Sequence, residues 1–237
     1  YKNLDIGTAK PTQKELIKTP HHLIDIRSPI ESYSVGDFKK DVDSIITNPL
    51  DAEKIPFLYG GTMMYFNSLE NHLDDLPVST LDTKKKVNDE LNKFGIEFLF
   101  KKLEEVDPVS AKKINSNDSQ RIQRALEVYY ISGKSLSSFY VNKKIIETPY
   151  KILKLALLPN NREHLHLLIQ ERVDYMLERG LVEEVEEILR SYPSLDSSYP
   201  SFRSVGYRQT FHYLKNQISK SELKNKIIFA TRQLAKR

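Results

Sequence analysis

Only three runs of this chain have the makings of β-strands, and they lie on either side of a long stretch that has none. HHLIDI (21–26), IPFLYGG (55–61) and YKILKLALLP (150–159) are each apolar or β-branched and bounded by turn residues. Between the second and third, residues 76–148 read as almost wholly helical and charged. The three runs read as pieces of one parallel sheet. The simplest arrangement is an α/β fold whose core, residues 1–75 and 149–237, is interrupted by a helical insertion, residues 76–148.

Helical signals fill the rest. Ile122, Ala125, Leu126 and Tyr129 recur at i, i+3, i+4 and i+7, on one face of a helix opened by Asn117 or Asp118. A second helix, over 164–179, is stopped by Gly180, and a third is announced by Ser219 with Glu222 three residues on, the spacing of a capping box. The Pro- and Ser-rich stretch 191–204 reads as a loop.

Several classes of function fall away on composition. With no cysteine among 237 residues, disulfides, thiolate nucleophiles and cysteine-held zinc are excluded. No apolar run reaches transmembrane length, and the first residues, YKNLDIGTAK, resemble neither a signal nor a transit peptide, so a cytoplasmic protein is expected. Both ends read as cut, since the chain starts without Met and stops in a basic helical run.

Charge is concentrated at one end. Residues 201–237 hold nine lysines and arginines against the single acid Glu222, a local net charge of +8 in a chain whose total is +4. Such a stripe reads as a polyanion contact or, more plainly, as a solvated helix end. Two runs within it, RSVGYRQ (203–209) and ATRQLAKR (230–237), mix arginine with Gly, Tyr and Gln as RNA-contacting surfaces do.

Four places could carry chemistry. Gly60-Gly61-Thr62 follows a strand-like run and precedes a helical one, so a helix N-terminus with a threonine hydroxyl could receive phosphate, or Thr62 could simply be an N-cap. In NDSQRIQR (117–124), Arg121 and Arg124 stand one turn apart opposite Ile122 and Leu126, with Gln120 beside them. Paired guanidiniums next to amides suit phosphate and base edges. Arg172 lies mid-helix among Leu168, Ile169 and Met176, where a guanidinium calls for a carboxylate or a bound phosphate. The acids Glu183, Glu184, Glu186 and Glu187 read as a solvated helix face, and six histidines show no metal spacing.

In order along the chain, DIGTAKPT (5–12), PHHLIDI (20–26), ESYSVGDF (31–38), YGGTMMYF (59–66), VDPVSAKKINSNDSQRIQRALEVY (106–129), SFRSVGYRQ (201–209) and ATRQLAKR (230–237) resemble the tRNA dimethylallyltransferase family over nearly the whole sequence. The resemblance implies a P-loop NTPase-like core with a helical insertion that grips tRNA. It also implies transfer of a dimethylallyl group from dimethylallyl diphosphate to N6 of the adenine next to the anticodon, at tRNA position 37. Because N6 is a poor nucleophile and the allylic carbon ionises readily, catalysis would rest on stabilising the diphosphate, with Mg2+ assisting, and on a base that takes the amine proton.

By the same resemblance, Thr62 lies at the mouth of the reaction channel and Arg172 holds the diphosphate. Lys84 is a basic contact of the insertion, and Gln120, Arg121, Ile122, Gln123 and Arg124 are tRNA-contacting. So are Arg203, Ser204, Val205, Gly206, Tyr207 and Arg208, with Lys236 and Arg237 opening a last such segment. The family's P-loop and its aspartate base belong before Tyr1, so the chain alone is expected not to turn over. A monomer acting on the tRNA anticodon stem-loop, with no membrane attachment, is the expectation. Two alternatives remain: a non-catalytic RNA-binding module, and an enzyme prenylating free adenine nucleotides, for which the basic tail would have little use.

Overall fold

In a computed structural model of the chain, residues 1–48, 54–70, 76–141 and 150–236 are described. They form two compact units, Tyr1–Ile55 with Leu153–Arg237, and Pro56–Ile152. The boundaries expected from sequence, near 75 and 148, fall on residues outside the described ones.

The second unit is a small helical assembly: α3 (Met63–Glu70), α4 (Leu81–Val106), α5 (Pro108–Ala111), α6 (Ser119–Ser132) and α7 (Leu136–Val141). Its first unit counterparts α1 (Gln13–Lys18) and α2 (Val35–Ile46) precede it in sequence. Val87, Leu99 and Leu103 of α4 pack with Ile122, Ala125, Leu126 and Val128 of α6 around a closed apolar core. Asp118, the N-cap of α6, accepts from the Arg121 amide, and Gly133 ends the helix in the left-handed region at φ 68°. The helix α4 is broken at Gly95, whose φ of 79° and ψ of 173° no helix tolerates. Lys102 Nζ reaches Glu90 Oε1 at 3.2 Å. In a straight helix those positions would stand about 18 Å apart, so the chain folds back at Gly95.

The first unit is completed by α8 (Arg162–Glu178), α9 (Leu181–Ser191), α10 (Tyr207–Leu214) and α11 (Lys220–Ala235), with a 3-10 turn at Ser201–Arg203. Ile169, Val173 and Met176 form the buried stripe of α8 and meet Leu223, Ile227 and Ile228 of α11, with Leu181, Phe202, Tyr207 and Phe211 closing the core. Gly180, at φ 93°, turns the chain from α8 into α9. The expected capping box at Ser219 and Glu222 is formed: the Ser219 amide donates to the Glu222 carboxylate at 2.8 Å.

The expected strands are not formed among the described residues. Within HHLIDI, Leu23 and Asp25 sit at φ 63° and 56°, left-handed values that curl the chain out of any ladder. Residues 55–60 and 151–159 form no regular element and are mostly exposed, Phe57 at 77% and Leu155 at 76%. A strand is defined by the hydrogen bonds of its neighbour, and apolar patterning alone does not supply one.

Candidate functional site

The candidate residues fall in both units, and burial sorts them. In Pro56–Ile152, Thr62 is exposed immediately before α3, and its carbonyl accepts from the Tyr65 amide at 2.9 Å. Lys84 is exposed in the first turn of α4. On α6, Gln120 and Arg121 are exposed, Gln123 is half-buried and Ile122 is fully buried in the core. The Ile122 side chain therefore anchors the helix.

Arg124 also departs from the sequence reading. Its guanidinium donates to the Ser79 hydroxyl and to the Pro77 carbonyl, the latter at 2.9 Å, and pairs with Glu127 at 3.7 Å. It fastens residues 77–79 to α6 and is not a free phosphate fork. Arg121 meets only Asp118, at 3.4 Å, and keeps 73% of its side chain exposed.

In the other unit, Arg172 does not lie among apolar side chains. The buried stripe of α8 runs through Ile169, Val173 and Met176, and Arg172 is exposed on the flank of that stripe, on the side of Leu168 (48% exposed) and Tyr175 (58%). It has no ion-pair partner among the described residues, and it stands open to a ligand anion. The argument from burial does not apply to it, because helical spacing puts positions 168 and 172 a third of a turn away from the core stripe.

The segment 203–208 is split in the same way. Arg203 and Arg208 are exposed, and Ser204 and Val205 are half-buried. Gly206 is buried at φ 95° and turns the chain so that Tyr207 points inward, completely enclosed. The Tyr207 phenol donates to Glu184 Oε1 at 2.6 Å and accepts from the Gly7 amide at 3.1 Å. Burial and the adjacent carboxylate push that phenol far above the usual tyrosine range. Glu184 also accepts from the amides of Asp5 (3.2 Å) and Ile6 (2.8 Å), so it is not part of a solvated face. Gly206 and Tyr207 thus shape the segment from within. Lys236 is exposed at the end of α11, and Arg237 lies outside the described residues.

Two arrangements have no counterpart in the sequence reading. Lys10 joins Asp5 and Asp25, and despite partial desolvation those hydrogen bonds hold its ammonium above the usual lysine range. The second is a cavity of about 520 Å³ bordered by Arg162, His166, Arg232 and Lys236. No signal in residue spacing links positions 162 and 166 to 232 and 236, because packing of α8 on α11 brings them together. Among the described residues no three His, Asp or Glu side chains gather as a metal site. No helix among them is long and apolar enough to cross a membrane.

The comparisons with known proteins agree on one family. The model for IPP transferase matches residues 1–237, and the chain belongs to that family. A tRNA dimethylallyltransferase of Legionella pneumophila (strain Paris) is 44% identical over 237 residues, which cover 100% of this chain and 75% of that protein. One from Neisseria meningitidis serogroup A is 43% identical, covering 100% and 76%. Among solved structures, the full-length tRNA isopentenylpyrophosphate transferase of Bacillus halodurans is 31% identical with a TM-score of 0.61, covering 100% of this chain and 73% of that one. A eukaryotic dimethylallyltransferase acting on tRNA is 27% identical with a TM-score of 0.75, covering 98% and 58%.

Proposed function

We infer that this chain is the tRNA-handling and prenyl-transferring part of a tRNA dimethylallyltransferase. The observation that carries the reading is its identity of 44% to proteins of that name across its entire length. In the reaction, the N6 amine of adenine attacks the allylic carbon of dimethylallyl diphosphate, the carbon–oxygen bond breaks, diphosphate leaves, and N6 loses a proton to a base. We take the adenine to be that of position 37 in the anticodon stem-loop.

Roles follow exposure. Arg172, free of any acid, would neutralise the departing diphosphate. Thr62, with Met63 and Met64 exposed beside it at 64% and 66%, would border the channel that receives the adenine. Gln120, Arg121, Lys84, Arg203, Arg208 and Lys236 would meet the RNA backbone, while Ile122, Arg124, Gly206 and Tyr207 hold their elements in place. Magnesium would arrive on the diphosphate oxygens, with water completing its shell. A sheet core is supported by the exposed apolar residues at alternate positions, Ile55, Phe57 and Tyr59 and Leu153, Leu155 and Leu157, the period of strands with one covered face. Acting alone on tRNA, the protein would work as a cytoplasmic monomer.

The role of Arg172 is testable in the full-length protein. Arg172→Ala is expected to raise the KM for dimethylallyl diphosphate at least about tenfold, as loss of a charged hydrogen bond does. An unchanged KM and kcat would remove the residue from the site.

A further inference from the structure

The cavity between the start of α8 and the last turn of α11 is bordered by side chains that, apart from Lys236, have no part in the roles above. It is bordered by Arg162, His166, Arg232 and Lys236, with Leu165, Ile169 and Phe229 on its apolar side, and no acid among the described residues lines it. None of the four basic side chains has an ion-pair partner among the described residues. Arg232 is the most constrained, since its Nε is buried and donates to nothing. A buried guanidinium N–H left without an acceptor costs free energy unless a ligand supplies one. His166 responds to the same surroundings: desolvation and the charges of Arg232 and Arg162 lower its pKa, against a smaller opposing effect of Glu163. Arg162 and Lys236 keep their charges in water, so the need for an acceptor falls on the buried Arg232 Nε, with the two exposed cations and His166 beside it to attract an anion.

We propose that this cavity is a phosphate site, in which Arg162, Arg232 and Lys236 grip one phosphate of the RNA backbone and His166 hydrogen-bonds it. At about 520 Å³ the space exceeds a lone phosphate and leaves room for the attached nucleoside, with Phe229, 65% exposed, as an apolar wall. RNA is the source favoured over the prenyl diphosphate because two of the lining residues, Arg232 and Lys236, belong to the segment 201–237, whose net charge of +8 suits a polyanion. That choice rests on the functional reading above, whereas the site itself does not.

The experiment uses the full-length protein and inorganic phosphate as the first probe, followed through the His166 ring signals by NMR, assigned with His166→Gln. Phosphate is expected to raise the His166 pKa, and Arg162→Gln, at an exposed position that leaves the fold intact, is expected to abolish that response. The second arm is kinetic. Arg162→Gln and Lys236→Gln should each raise the KM for tRNA about tenfold and lower the slope of its salt dependence by about one, with the KM for dimethylallyl diphosphate unchanged. A rise confined to the dimethylallyl diphosphate KM would overturn the RNA assignment. No His166 response to phosphate, together with unchanged tRNA kinetics, would overturn the site. A protein that shows the His166 response yet never prenylates tRNA would keep the site and refute the functional reading.

Discussion

Arg121 and Arg124 stand three residues apart on one helix and look interchangeable in sequence, yet one is open to solvent and the other holds Ser79 and Pro77. Arg121→Ala is expected to weaken tRNA binding severalfold with little change in stability, because removing an exposed ion pair costs under about 1 kcal/mol. Arg124→Ala is expected to do the reverse and to lower stability by about 1–3 kcal/mol. Chemical denaturation of both variants, set beside filter binding, separates the two roles. The same contrast holds in the other unit. Tyr207→Phe keeps the ring but removes the hydroxyl between Glu184 and Gly7, and should cost about 1–3 kcal/mol without altering tRNA affinity. The place of Tyr207 between Arg203 and Arg208 hides this in the sequence. Only the left-handed turn at Gly206 sends the tyrosine inward.

Asp107 carries the pH dependence at this scale. Burial alone would raise its pKa, but hydrogen bonds from Ser110 and Ser137 outweigh burial and lower it. The Ser110 amide donates at 3.0 Å and the Ser137 amide at 2.9 Å. A depressed folded pKa means that the carboxylate's stabilising effect is present above the unfolded value, about 3.9, and is lost as pH falls through the folded value. Urea unfolding of the wild type and of Asp107→Asn should therefore differ near neutrality and converge below about pH 4.

Helices were legible wherever a local device starts or stops them. The Ser219 and Glu222 capping box, the Gly180 stop and the apolar stripe of α6 all read correctly from spacing, since each is decided within one or two turns of chain. Strands were not, because pairing is a property of the neighbour: HHLIDI has strand composition but two left-handed residues. The fold-back at Gly95 was equally hidden within a continuous helical pattern. Its consequence is specific. Gly95→Ala meets no steric obstacle within 4 Å but must adopt φ 79°, so it should destabilise the protein by about 1–3 kcal/mol, read as a lowered Tm.

At the scale of the molecule, the two units are each built on their own core. The basic tail was legible as charge, but not as a place. Packing of α11 on α8 decides that Arg232 and Lys236 face Arg162 and His166, and no local pattern encodes that meeting. What unites these features is a single activity, and it is open to one direct assay. Full-length protein is incubated with dimethylallyl diphosphate, magnesium and an anticodon stem-loop RNA, and the digested RNA is weighed by mass spectrometry. The account predicts that the adenine next to the anticodon gains the mass of one dimethylallyl group, and that replacing this adenine with guanine abolishes the gain. RNA that binds the protein but emerges with its mass unchanged would contradict it.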